Sequence, residues 1–291
     1  MKLSCLPVSL YGDFVSGHRS LPDWFRIAAD LGLDGADVSV AHFDWNDRAE
    51  LDCLRDHAAQ AGVRIAMVVT YSDFTLPDPE ARRREQAAVH TQIEAAARLE
   101  APYVRLTAGQ SWPGVVRADG LAWAAEGLSQ AAAYASGLGV TALYENHTRG
   151  SVWRWNDFSQ PADRFLELVE TTEGSDLAVL FDTANNLALW DRPEAVLARV
   201  RSRVAAVHLA DIEQSGAFRP VVPGTGVSPH ASILKVLRDG GFDGWISVEE
   251  ASGNGLDGLA AGFRHADAVW QAVGGTPRAD AGTVQQKEGT G

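Results

Sequence analysis

Four short apolar runs in the second half of the chain each carry, at or near their end, a group able to bind a cation or move a proton. VTALYENH delivers Glu145, LAVLFDTAN delivers Asp182, VAAVHLAD carries His208 and WISVEE delivers Glu249. Each run has the length and the β-branched or aromatic content of a buried strand. Taken singly, ordinary roles suffice: Asp182 caps the turn behind it, His208 sits in a core, and Glu145 and Glu249 pair with Arg149 or another cation. Taken together they ask for more. Neighbouring strands lie about 4.8 Å apart, so four successive strand ends can converge on one point. Three carboxylates and an imidazole gathered there repel unless a counter-charge joins them. A divalent cation supplies it, and a mostly oxygen donor set suits Mn²⁺, Mg²⁺, Co²⁺ or Zn²⁺ without selecting among them.

Such convergence needs a scaffold. Strand-like runs begin near Leu3, Asp34, Val63, Pro102, Val140, Leu177, Val204 and Trp245. The helical stretches between and after them are Leu21 to Leu31, Arg48 to Ala61, Pro79 to Leu99, Leu121 to Ser136, Pro161 to Val169, Pro193 to Val200, Pro229 to Asp239 and Leu256 to Val273. Pro193 and Pro229 are expected in first turns, and Gly32, Gly62, Gly139 and Gly240 at left-handed helix ends. Eight β-then-α units without a shift in composition predict one (β/α)8 barrel over 1–275. An open doubly wound sheet is the rival, but no GxGxxG or phosphate-loop pattern follows the first run. From Thr276 the chain is polar and Gly-rich, which predicts a disordered tail over 276–291.

Composition narrows the function classes. With 291 residues, 46% of them hydrophobic, the chain can bury one large core. A formal net charge of −13 with scattered basic residues argues against a nucleic-acid partner. The densest basic stretch, ARRRE at 81–85, reads as a solvated helix face. Cys5 and Cys53 are too few for a disulfide framework and read as reduced thiols. No secretion signal and no run of about 18 apolar residues is visible, so a soluble, cytoplasmic protein is expected, with no membrane partner and a homo-oligomer left open.

The segments ALYENH, VLFDTANN, VAAVHLADI, PGTG at 223–226 and FDGWISVEE resemble the signature segments of the xylose isomerase-like TIM-barrel superfamily. The resemblance spans roughly Leu3 to Val273 and is stronger in the second half. It implies a metal held by Glu145, Asp182, His208 and Glu249, with Glu145 and Glu249 also serving as acid and base on opposite faces of a substrate. It further implies substrate contacts from His147 and Arg219. Sugar isomerases and epimerases, inosose and dehydroshikimate dehydratases and apurinic endonucleases all belong to this group. The nucleases use a three-metal cluster with a histidine three residues after the Asp of the sixth strand. Here Asn185 stands at that position, an amide that can bind a hydroxyl but ligates metal poorly. FRPVVPG likewise lacks the histidines expected before the PG turn.

These readings converge on carbohydrate chemistry. A divalent ion beside a carbonyl and an adjacent hydroxyl stabilises the enediolate left when an α-proton departs, and a nearby carboxylate takes that proton. Its return to the opposite face is epimerisation, its return to the adjacent carbon is isomerisation, and loss of a β-hydroxyl is dehydration. The expectation is an isomerase or epimerase of a keto-sugar, polyol-derived ketone or sugar acid, with a dehydratase as the alternative. Trp112 and Trp153, with Trp45 and Trp155, are candidate platforms for a sugar. GSVWRWNDF, at 150–158, is a candidate lid segment.

Overall fold

The computed structural model describes residues 1–150 and 152–278. Its eight strands are β1 (Lys2–Leu6), β2 (Gly35–Ser39), β3 (Arg64–Val69), β4 (Tyr103–Leu106), β5 (Thr141–Glu145), β6 (Ala178–Asp182), β7 (Val204–Leu209) and β8 (Trp245–Glu249). All are parallel, in the order β1-β8-β7-β6-β5-β4-β3-β2. The β1/β2 seam is held by the Asp34 N–H donating to the Leu3 carbonyl at 2.9 Å and the Leu3 N–H to Asp34 Oδ2 at 2.8 Å. The result is a nearly closed (β/α)8 barrel. Every strand starts within one residue of its expected position, because buried parallel strands read as short apolar runs.

Alternation along the strands sorts side chains into two layers. Leu3, Cys5, Ala36, Val38, Val104, Leu106, Val179, Phe181, Val207, Leu209, Ile246 and Val248 face the helices. Leu6, Ala66, Met67, Val69, Leu143, Leu180, Ala206 and Trp245 fill the interior. On β2 and on β4 to β8 the inward positions nearest the C-terminal ends are polar instead, Ser39, Arg105, Glu145, Asp182, His208 and Glu249, and they form the mouth.

Among the described residues the helices are α1 (Tyr11–Ser16), α2 (Leu21–Asp30), α3 (Arg48–Ala61), α4 (Pro79–Arg98), α5 (Arg117–Gly137), α6 (Ala162–Thr171), α7 (Pro193–Val200), α8 (His230–Asp239) and α9 (Gly255–Ala272). α2 shows why they form. Ser20 and Asp23 make a reciprocal capping box, and Leu21, Trp24, Phe25 and Ala28 bury one face at helical spacing.

Several local expectations are corrected. α5 starts at Arg117 rather than Leu121, because Arg117 is tied to Asp163 and Glu167 and Gly120 packs under Phe158. Gly240 is right-handed, and Gly241, at φ 80°, takes the left-handed position. Pro229 is the N-cap of α8 rather than part of its first turn. Thr276 and Arg278 dock onto the barrel: Trp270 Nε1 donates to the Thr276 carbonyl, and Arg278 pairs with Asp34 at 3.0 Å. The rest of the predicted tail, 279–291, lies outside the described residues.

Candidate metal centre and active site

Glu145, Asp182 and Glu249 are the last residues of β5, β6 and β8, and His208 is the penultimate residue of β7. All four point inward. One donor atom from each lies within 4.8 Å of the others. His208 Nδ1 faces the cluster, 2.7 Å from Glu145 Oε1 and 2.9 Å from Glu249 Oε2. Glu145, Asp182 and His208 are buried, whereas the Glu249 side chain is 23% exposed, so the cluster opens to solvent on its β8 side.

The electrostatics are those of a site built around a cation. Burial, then the charges of Glu249 and Glu145, push the Asp182 carboxyl well above the usual range. Burial also opposes ionisation of Glu145, but Arg105 and His208 outweigh it and hold that carboxyl low. His208 is raised: burial favours the neutral ring, and Glu145 and Glu249 override it. Asp182 uses Oδ1 to accept the N–H groups of Ala184 and Asn185 at 2.8 and 2.6 Å, so the capping role is real. Its Oδ2 is buried with no hydrogen-bond partner, and Glu145 Oε2 has an ion-pair neighbour but no hydrogen bond. Carboxylate oxygens left this way fit a divalent ion, which would complete them.

Asparagines behind the cluster lock the ends of β5 and β6 together. Asn146 Oδ1 accepts the Asp182 N–H at 2.8 Å, while Nδ2 donates to the Asp182 carbonyl and to Asn186 Oδ1. Asn185 Oδ1 accepts from the Thr148 hydroxyl at 2.7 Å, which orients its amide N–H groups.

Other expected residues divide. His147 stands beside the cluster, two residues after Glu145, with Nδ1 3.4 Å from Asp157 and its ring edge-on to the buried Trp153. Trp112 donates Nε1–H to Asp73 Oδ2 at 2.9 Å. Trp45 is half-buried and packs against the outer core. Arg219 is 67% exposed and pairs with Glu213 on its own loop, so it does not join the cluster. Arg149 reaches the Trp153 carbonyl, not Glu145.

The segment after β5 is latched down along its second half. Gln110 Oε1 accepts the N–H groups of Arg154 and Trp155, Gln110 bridges Asp157, and the Phe158 N–H meets the Gly109 carbonyl at 2.7 Å.

Three residues that sequence reasoning passed over complete the mouth. Arg105 on β4 is buried, with Nη1 3.2 Å from Glu145 Oε2 and its guanidinium 5.2 Å from the Tyr71 ring. A cation inside the apolar run YVRL was its signal. Tyr11 on α1 stacks edge-on to His42, and burial, followed by the neighbouring Tyr71, pushes its hydroxyl pKa up. Asp211 accepts four backbone N–H groups, from Ile212, Gly224, Gly226 and Ser228, and so sets the shape of the PGTG turn.

The family model described as xylose isomerase-like TIM barrel matches residues 25–269. The chain belongs to this family. Inosose dehydratase of Clostridium beijerinckii is 28% identical over 143 residues, which is 43% of this chain and 45% of that enzyme. The chain thus spans under half the length of that relative. D-psicose 3-epimerase of Clostridium cellulolyticum H10, solved with D-tagatose, superposes with a TM-score of 0.74 at 15% identity, over 94% of this chain and 98% of that one. A zinc-bound IOLI protein superposes with the same score at 16% identity and the same coverage. At these identities the two structures are alike in fold.

Proposed function

We propose that the protein is a divalent-metal-dependent sugar isomerase or epimerase acting on a keto-sugar, a polyol-derived ketone or a sugar acid. The observation that carries this reading is the arrangement of Glu145 and Glu249 on either side of His208 Nδ1, with Asp182 beside them. Glu145, Asp182, His208 and Glu249 would hold the ion. When bound, it supplies the Lewis acidity that makes a hydrogen beside a carbonyl easier to remove.

Proton movement then falls to the chain's own groups. Glu249, the carboxylate reachable from solvent, takes the α-proton from the face of the substrate that meets β8. Glu145, on the β5 side, is the second transfer group, with Arg105 fixing its orientation. His147, Trp153, Trp112 and the amide N–H groups of Asn185 bound the substrate volume and orient its hydroxyls. Arg219 has no part in this scheme.

A dehydratase is the second reading, supported by the inosose dehydratase relative. The two readings share the α-proton step and differ in whether a proton then returns to carbon or a β-hydroxyl leaves. The test is incubation in D₂O with added Mn²⁺ across keto-sugars, inososes and sugar acids. Deuterium in recovered sugar without loss of water supports the isomerase, and a new ultraviolet-absorbing enone supports the lyase. If no substrate exchanges, and Glu249→Gln matches wild type, the proposal fails.

A further inference from the structure

Beneath the four-residue cluster lies a second polar group of side chains inside the barrel, which the proton-transfer scheme does not use. Ser4 on β1, Asp37 on β2 and Ser247 on β8 all point inward and are 0% exposed, as is His208. Strand register sets Ser247 between Ser4 and His208. Ser247 Oγ donates to Asp37 Oδ2. Three polar atoms make no hydrogen bond of normal geometry, Ser4 Oγ, Asp37 Oδ1 and His208 Nε2, and the Ser4 hydroxyl stands close enough to Asp37 to favour its ionised form.

The His208 ring explains why this matters. Its Nδ1 faces Glu145 and Glu249 and is the atom available to a metal. Nε2 then carries the proton, and a metal-bound imidazole normally hands that proton to a carboxylate, carbonyl or water that fixes the ring. Asp37 is the nearby carboxylate, close enough for His208 to act on its charge, yet it makes no direct ion pair with the ring. The floor below is closed, since Gly35 lies so tightly under Trp245 that a Cβ there would meet the ring at 2.7 Å.

Resting on the proposed metal site, we infer that this chamber binds one internal water, which accepts from His208 Nε2–H and donates to Asp37 Oδ1, with Ser4 Oγ as its third partner. Three polar partners lie within the two to four that a buried water requires. Asp37 is thereby a positioning residue: it acts through the water to hold His208 in the orientation and tautomer that present Nδ1. Ser247 secures the other carboxylate oxygen, so Asp37 cannot turn away.

The test combines structure with metal affinity. A high-resolution crystal structure of the wild-type protein is expected to show ordered water within hydrogen-bond distance of His208 Nε2 and Asp37 Oδ1. Zn²⁺ affinity, read by competition with a chromophoric chelator, is expected to fall by about 10–100-fold in Asp37→Asn. Ser4→Ala is expected to give a smaller loss of the same sign, and it decides the matter should Asp37→Asn fail to fold. A dry chamber, or Zn²⁺ affinity unchanged in both variants, overturns the inference while leaving the metal site standing. A wild-type protein that takes up no Zn²⁺ overturns the metal reading itself, and this inference with it.

Discussion

Arg105 Nη1 lies 3.2 Å from Glu145 Oε2, with both side chains almost wholly out of solvent. Neither would be tolerable there alone, because a buried charge without its partner is strongly destabilising. The pair spans β4 and β5 and keeps Glu145 ionised where burial alone would protonate it. Arg105→Leu is therefore expected to cost about 3–5 kcal/mol in metal-free protein, read from urea unfolding. Added Zn²⁺ should recover part of that loss, since a cation on the other side of Glu145 replaces the missing charge. A variant as stable as wild type without metal would show that Glu145 does not depend on Arg105.

Asp182 carries the opposite liability. Its carboxyl is raised by burial and by Glu249 and Glu145, so ionisation at neutral pH works against the metal-free fold. Asp182→Asn keeps an oxygen for the Ala184 and Asn185 N–H groups and removes the charge. The variant should melt higher than wild type without metal, in differential scanning calorimetry with a chelator. With metal at about a hundred times its Kd, wild type should gain about 2.7 kcal/mol, and Asp182→Asn should gain far less. Parallel responses of the two proteins to metal would remove Asp182 from the ligand set.

The loop after β7 depends on a single carboxylate. Asp211 accepts the N–H groups of Ile212 and Ser228 at Oδ1, and those of Gly224 and Gly226 at Oδ2. A Cβ at Gly226 would fall 2.1 Å from the Ile212 carbonyl, so the loop cannot simply repack around a different anchor. Asp211→Ala is expected to lose about 1.5–3 kcal/mol, the range for hydrogen bonds to a charged group. Hydrogen exchange should quicken at 224–228, and β7 should keep its protection. Unchanged exchange in that segment would mean that the turn holds its shape by other contacts.

The barrel was legible in the sequence because each strand is a short apolar run and each helix a separate amphipathic one. The four-residue cluster was legible because an acid or imidazole at or near the end of such a run is conspicuous. Arg105 was not, because a buried cation within a strand declares itself only through its partner. Asp37 sits in DGADVSV, where its charge reads as part of a loop until the strand's inward face is known. Arg219 was placed by resemblance alone, and in the structure it is an exposed loop side chain paired with Glu213 at 3.4 Å. In ARRRE, Arg82 lies over the Trp123 ring at 3.8 Å and Glu85 turns inward, so only part of that stretch is a solvated face.

Glu85 gives the clearest pH signature outside the cluster. Burial, helped by the charge of Asp73 and offset in part by the Asp73 N–H, raises its pKa from an ordinary 4.5 to about 7. Between those two values the folded protein keeps a proton that the unfolded chain has released. Stability then falls as pH rises through that window, and the full penalty is present above about 7. Glu85→Gln retains an acceptor for the Asp73 N–H and has nothing to ionise. The variant should match wild type at pH 4.5 and exceed it at pH 8 by on the order of 2 kcal/mol. Urea titrations at the two pH values read this directly, and a wild-type advantage that grows with pH would reverse the assigned direction of the shift.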